Sequence, residues 1–335
     1  MNPPAEHPTI SPRKIGVLLI NLGTPDAPEA PAVRRYLAEF LSDRRVVEIP
    51  PIAWKPILHG IILRTRPAKS AHAYSQVWTE EGSPLAAITR RQAEALQRQW
   101  GDRVVVDWAM RYGNPGIRPA IEKLKAAGCE RILAAPLYPQ YCAATTATAN
   151  DTVFSMLAEM RWQPALRTLP PYHDEPAYID ALQRSIERQL AALDFAPDRL
   201  LLSFHGMPER TLFKGDPYHC HCRKTARLLA ERLSIGVETA FQSRFGRAKW
   251  LEPATEDVLA RLPGAGMKKL AIAAPGFSAD CIETIEELGI RGKETFLAAG
   301  GTHFARLDCL NDSDEGIAML DALLMRELAG WVAGA

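Results

Sequence analysis

The chain has 335 residues, 47% of them apolar and 24% charged, with a net charge of +1. That balance is ordinary for a globular protein large enough for one big or two medium domains. It offers no broad basic field for nucleic acid, and no apolar run approaches the roughly 18 residues of a membrane-spanning helix. The first residues, proline-rich with Glu6 and His7, lack the basic and apolar regions of a secretory leader, so the expected location is cytoplasmic.

Apolar runs at 15–20, 104–108, 131–135, 200–204, 237–241 and 270–274 read as buried strands. Helical patterns lie between them at 84–100, 119–127, 143–160, 178–193, 222–233 and 255–262. Alternation of this kind predicts an α/β chain with parallel sheets. The segment Leu169-Pro170-Pro171-Tyr172 breaks the rhythm and divides the chain. The expected organisation is a disordered tail over 1–13, an N-terminal domain over 14–171, a C-terminal domain over 172–311, and a terminal helix over 312–335 packing back. The stretch 49–63 carries Ile49, Ile52, Trp54, Ile57, Leu58, Ile61, Ile62 and Leu63, rimmed by Lys55, Arg64, Arg66 and Lys69. Such a segment suits either a packed helix or one lying on a membrane surface.

Asn21-Leu22-Gly23-Thr24-Pro25, after the first strand, has neither the glycine spacing of a dinucleotide fingerprint nor that of a P-loop. A more pointed signal is Leu201-Leu202-Ser203-Phe204-His205-Gly206-Met207-Pro208. A buried strand ends there on a histidine, the position where open α/β sheets bind ligands. His205 either caps a turn or serves as proton acceptor or metal ligand. After the strand at 270–274 and Pro275-Gly276 come Asp280, Glu283 and Glu287. On an α-helix these three carboxylates share one face. The face is either solvated, near the positive end of the helix dipole, or a path for cations or protons. The six cysteines are expected to be free thiols. Tyr218-His219-Cys220-His221-Cys222 is dense in donors, but its Cys-x-Cys spacing is not that of a zinc site.

Motifs along nearly the whole chain resemble those of the ferrochelatases, which insert ferrous iron into porphyrins. They include Asn21-Leu22-Gly23-Thr24-Pro25, Phe40-Leu41-Ser42-Asp43-Arg44, Gly82-Ser83-Pro84-Leu85, Arg111-Tyr112 and Tyr138-Pro139-Gln140-Tyr141. The histidine segment, Gly215-Asp216-Pro217-Tyr218, Gln242-Ser243-Arg244, Trp250-Leu251, the 280–287 segment and Leu310-Asn311 complete the series. The resemblance implies a chelatase-like fold of two similar Rossmann-like domains with a porphyrin cleft between them, and an apolar lip near 49–66. It implies protoporphyrin IX and Fe²⁺ as substrates, with protohaem and two protons as products in the terminal step of haem synthesis. Coproporphyrin III is the alternative porphyrin, and a non-catalytic haem or porphyrin carrier is the alternative from another class. His205 and Glu283 match the catalytic pair, both expected to meet the metal. Asp280 and Glu287 match the proton or metal pathway, and Arg111, Tyr112, Tyr141 and Trp250 match positions at the pocket. Arg111 would pair with a propionate or another carboxylate, though a surface ion pair and a core tyrosine are the plainer reading of Arg111-Tyr112. Many relatives carry a second histidine where this chain has Cys281, so Cys281 receives no role. No cofactor is expected for catalysis, since iron is a substrate. Some members carry a 2Fe–2S cluster on C-terminal cysteines, a version excluded here because no cysteine follows Cys309. A cluster on Cys142, Cys220, Cys222 and a fourth thiol is the remaining candidate. The apolar lip also makes peripheral contact with the inner face of a membrane an expectation.

Overall fold

Central strands with apolar residues on both faces need cover on both faces, and the chain supplies it with helices. The computed structural model describes residues 14–246 and 248–332, so the tail expected over 1–13 and the last three residues of the terminal segment lie outside the described residues. The first half runs β1 (Lys14–Thr24), α1 (Ala30–Ser42), α2 (Pro51–Ile57), α3 (Leu63–Val77), α4 (Pro84–Trp100), β2 (Val105–Gly113), α5 (Ile117–Ala126), β3 (Cys129–Pro136), α6 (Thr148–Glu159) and β4 (Ala165–Thr168). The second runs α7 (Pro176–Ala191), β5 (Arg199–His205), α8 (Glu209–Phe213), α9 (Tyr218–Ala230), β6 (Val237–Gln242), α10 (Thr255–Arg261), β7 (Lys269–Ala273), α11 (Lys293–Ala298), β8 (His303–Arg306) and α12 (Asp314–Glu327).

The two sheets are parallel and have the same order, β2-β1-β3-β4 and β6-β5-β7-β8. The six runs read as strands all form strands. The structure adds β4 and β8, four-residue edges that bury too little apolar surface to show in the sequence. The expected helix over 143–160 opens with a π-helical turn, Ala143–Ala147, before α6. The lip segment is α2, a π-turn at Leu58–Ile62, and the start of α3. Leu58 and Leu63 are buried, whereas Ile52, Ile57 and Ile61 are 88%, 40% and 57% exposed. The packed reading holds for Leu58 and Leu63, while these isoleucines stay exposed. Among the described residues, no helix is long and apolar enough to cross a membrane.

One apolar core joins the halves. Val17, Leu19 and Leu133 of the first sheet, Leu202 and Phe204 of the second, and Leu320 and Leu324 of α12 belong to the same cluster. Trp100 Nε1 donates to Asp321 on α12 at 2.6 Å, and Gln92 Nε2 donates to the Asn311 carbonyl at 2.8 Å. In the second sheet the chain passes from β5 to β6 on one side, then crosses to β7 on the other. The crevice at the carboxyl ends of β5 and β7 is the resulting topological switch point.

Gly23 sits where β1 approaches β2, at φ +129°, and a Cβ there would lie 1.9 Å from the Tyr112 carbonyl oxygen. Gly23→Ala must spread the two strands, and should lower stability by about 2 kcal/mol or more in equilibrium urea unfolding.

Candidate active site

His205 is the last residue of β5, and Gly206 follows at once. Its backbone is fixed by pairing to Gln242 of β6, by the Gly206 N–H donating to the Gln242 carbonyl (2.7 Å), and by the Tyr218 hydroxyl donating to the His205 carbonyl (2.9 Å). The ring's Nδ1 lies 2.7 Å from the Gly206 carbonyl oxygen. A carbonyl only accepts, so Nδ1 carries a proton, and in the neutral ring Nε2 is the nitrogen with the free lone pair. The half-buried imidazole is thus set as a base or ligand through one defined nitrogen. Glycine is needed beside it: a Cβ on Gly206 would lie 2.5 Å from the Gln242 carbonyl and 3.3 Å from the Trp250 ring.

The carboxylates follow β7, the strand next to β5. Residues Glu283–Gly292 form a π-helix rather than an α-helix. Its hydrogen bonds run from i to i+5, so each turn takes more residues than an α turn. Glu283 and Glu287, four apart, still project along one side. Asp280 precedes the helix and does not share that face, contrary to the expectation from α-helical spacing. It is buried in a structural knot, accepting from Arg306 Nη1 (2.8 Å), Thr284 Oγ1 (2.7 Å), Asn311 Nδ2 (2.7 Å) and the Cys309 N–H (3.3 Å). A carboxylate so fully engaged anchors the helix start.

Glu287 is held by Ser243, whose N–H and Oγ donate to its two oxygens at 2.7 and 2.6 Å. Ser243 adopts φ +64°, a backbone conformation rare for a residue with a side chain and concentrated at functional sites. Burial raises the Glu287 carboxyl above its usual range and the Glu283 charge adds to this, while Ser243 and His205 pull it down. His205, Glu283 and Glu287 therefore form one electrostatic group. Tyr36 of α1 and Tyr74 of α3 close it from the first half. Burial drives both phenols well above their ordinary range, and the Glu283 charge reinforces the shift in each. Burial, then the Glu283 charge, also keeps the Cys281 thiol protonated.

The other sequence-predicted residues scatter. Trp250 packs against Gly206, its Nε1 donating to the Phe245 carbonyl at 2.9 Å, and so borders His205. Tyr141 is half-buried; its N–H donates to Nδ1 of His221 at 3.2 Å, and that ring stacks on His173 with centroids 3.6 Å apart. Arg111 is already bound to Asp43 (2.6 Å) and to Thr148 Oγ1 (2.8 Å), and the fully buried Tyr112 donates to the same Asp43 carboxylate at 2.8 Å. The ion pair and core tyrosine describe these two, and Arg111 is not held open for a propionate. Cys142 and Cys222 are buried, whereas Cys220 is exposed. Cys220 and Cys222 sit two apart on α9, a spacing that points side chains away from each other. Among the described residues, no three His, Cys, Asp or Glu side chains gather to hold a metal. These cysteines do not fit a 2Fe–2S cluster. Sequence reasoning gave no role to Ser243, Tyr36 or Tyr74. Ser243 stood in a quoted motif, but the tyrosines look like any apolar stripe of a packed helix.

Two surface grooves of about 430 and 610 Å³ meet at Asp43 and Asp151, beside the lip. The larger is bordered by Arg44, Arg45, Glu48, Ile49, Pro50 and Lys214. Lys214 donates to Glu48 at 2.6 Å, joining α8 to the lip, and Arg66 lies 5.3 Å over the ring of Phe245. Neither groove is lined by His205, Glu283 or Glu287.

The paired four-stranded parallel sheets of matching order form a two-domain chelatase-type fold. The sirohydrochlorin chelatase SirB from Bacillus subtilis subspecies spizizenii, in complex with cobalt, has the same fold (TM-score 0.56, 11% identity, 95% of this chain and 97% of that one), as does SirB from Bacillus subtilis with Fe³⁺ (TM-score 0.53, 12% identity, the same coverage). The Ferrochelatase family model matches residues 14–328. The ferrochelatase of Rhizobium meliloti (strain 1021) is 53% identical over 99% of this chain and all of its own length, and that of Rhizobium etli (strain ATCC 51251) is 53% identical over 98% of both. The chain belongs to the ferrochelatase family, porphyrin metal chelatases of the lyase class.

Two variants test the local geometry. Ser243→Ala removes a donor from ionised Glu287, so the carboxyl should titrate at higher pH in carbon-13 NMR of glutamate-labelled protein. Asp280→Ala leaves the largely buried Arg306 without its main partner, and should cost about 3 kcal/mol in denaturant unfolding.

Proposed function

We propose that this chain inserts Fe²⁺ into protoporphyrin IX, with His205 as proton acceptor and iron ligand and with Glu283 and Glu287 carrying protons away. The observation that carries this reading is the contact of His205 Nδ1 with the Gly206 carbonyl oxygen. The Gly206 carbonyl holds Nδ1–H, which leaves Nε2 bare at the switch-point crevice. Metal insertion must remove two pyrrole protons and bring a hydrated cation to four nitrogens. A neutral imidazole accepts a pyrrole proton, or binds iron as it sheds water, without the penalty of a second positive charge. Glu283 and Glu287 balance the incoming cation and offer successive proton sites. The raised Glu287 carboxyl suits that work, because it takes up a proton more readily than an ordinary carboxylate before passing it on. The net reaction is porphyrin plus Fe²⁺ giving haem and two protons.

Access for the porphyrin is read at the lip. Exposed Ile52, Ile57 and Ile61 offer an apolar edge to a flat greasy ring, and Arg44 along the adjacent groove offers charge to its propionates. The same isoleucines, rimmed by Lys55, Arg64 and Arg66, also suit peripheral contact with an anionic membrane.

His205→Ala and Glu283→Gln should each lower iron insertion at least about a hundredfold in an anaerobic absorbance assay, while porphyrin binding, followed by fluorescence quenching, survives. With protoporphyrin IX and coproporphyrin III competing in one reaction, protoporphyrin should be consumed first. Full turnover in either variant would sink the assignment, and preferential use of coproporphyrin would replace the substrate.

A further inference from the structure

The π-winding of residues Glu283–Gly292 is unusual, and one ion pair explains its persistence. Glu286 is only 8% exposed, and its carboxylate is bound in bidentate fashion by Arg291, Nε to Oε1 at 2.8 Å and Nη2 to Oε2 at 3.0 Å. These residues are five apart. A π-turn brings such residues side by side, whereas an α-turn brings together those three and four apart. At three and four residues from Glu286 stand Ile282, Glu283, Gly289 and Ile290, none of them cationic. The nearby Arg306 is engaged by Asp280 and Asp308. Rewinding the segment as an α-helix would strand a buried carboxylate, an arrangement proteins rarely tolerate.

We propose that the Glu286–Arg291 pair is a register clip that keeps this helix π-wound, so that Glu287 stays on Ser243 while the Glu283 backbone stays on Gln242, the strand partner of His205. Arg291 is mostly exposed and lies at the outer end of the helix, so it acts as a positioning residue. The inference rests on the reading that Glu283 and Glu287 serve iron insertion.

The test compares Glu286→Gln, Arg291→Gln, their double variant, and Ile290→Arg combined with Arg291→Gln, which moves the cation to α-helical spacing. Each is assayed for kcat, for KM of porphyrin and Fe²⁺, and for its thermal unfolding midpoint, with Glu283→Gln alongside. Arg291→Gln should lower kcat by about ten- to a hundredfold, the scale of a misplacement near one ångström, with porphyrin KM within about twofold of the parent. Glu286→Gln should match it, and the double variant should be no worse than either single, because one interaction has been removed. The relocated cation should leave the protein folded but still slow. Unchanged kcat in Arg291→Gln, single effects that multiply in the double variant, or full activity with the cation at position 290 would each overturn the clip. Full activity in Glu283→Gln would instead overturn the underlying reading of the carboxylates.

Discussion

The site depends on one buried ion pair, Asp280 with Arg306. The side chains are 6% and 21% exposed, and the carboxylate also takes hydrogen bonds from Thr284, Asn311 and the backbone at Cys309. These partners lie on β8, on the loop after it, and on the first turn of the π-helix. The knot therefore fixes where the segment leaving β7 begins to coil. A buried charge with every lone pair occupied is rigid, since any displacement exposes an unpaired group to a poor solvent. That rigidity sets the starting point from which Glu283 and Glu287 project.

From that point two further constraints act on the crevice. The Gly206 carbonyl selects the imidazole nitrogen that stays free, and the strained Ser243 backbone selects the rotamer of Glu287. Neither is an added element: each is backbone immediately following a strand, Gly206 after β5 and Ser243 after β6. A ligand site built this way on rigid strand ends holds its geometry without help from mobile loops. The lip differs in kind, a short helix and π-turn with several isoleucines left in solvent.

Much of the frame is legible in the sequence because central parallel strands are continuous apolar runs, and His205 interrupts one of them. Edge strands β4 and β8 are not legible, since Arg167, His303 and Arg306 dilute four-residue segments. The carboxylates at 283 and 287 are found by counting, but the count assumed an α-helix and so enrolled Asp280. Ten residues are too few for apolar periodicity to separate a π from an α winding. The one local sign was an acid, Glu286, whose nearest cation stands five residues on. Ser243 was invisible for another reason: its importance lies in a positive φ, which its neighbours in sequence do not announce. The cysteines misled through density alone, because helical geometry turns Cys220 outward and Cys222 inward.

The repeated strand order has an implication for the two faces of the cleft. Leu201 pairs with Ile272 as Leu18 pairs with Ala134, and the carbonyls of Ile272 and Ala134 accept matching bonds from Leu307 and Leu169. Counting onward from these matched residues, the counterpart of His205 in the first sheet is Leu22. Leu22 packs with Tyr36, Tyr74 and Ile282, the residue before Glu283. The same backbone slot therefore occurs twice, filled once by a reactive imidazole and once by a hydrocarbon. Near-symmetric architecture thus yields two chemically distinct strand ends, one carrying an imidazole and the other a hydrocarbon.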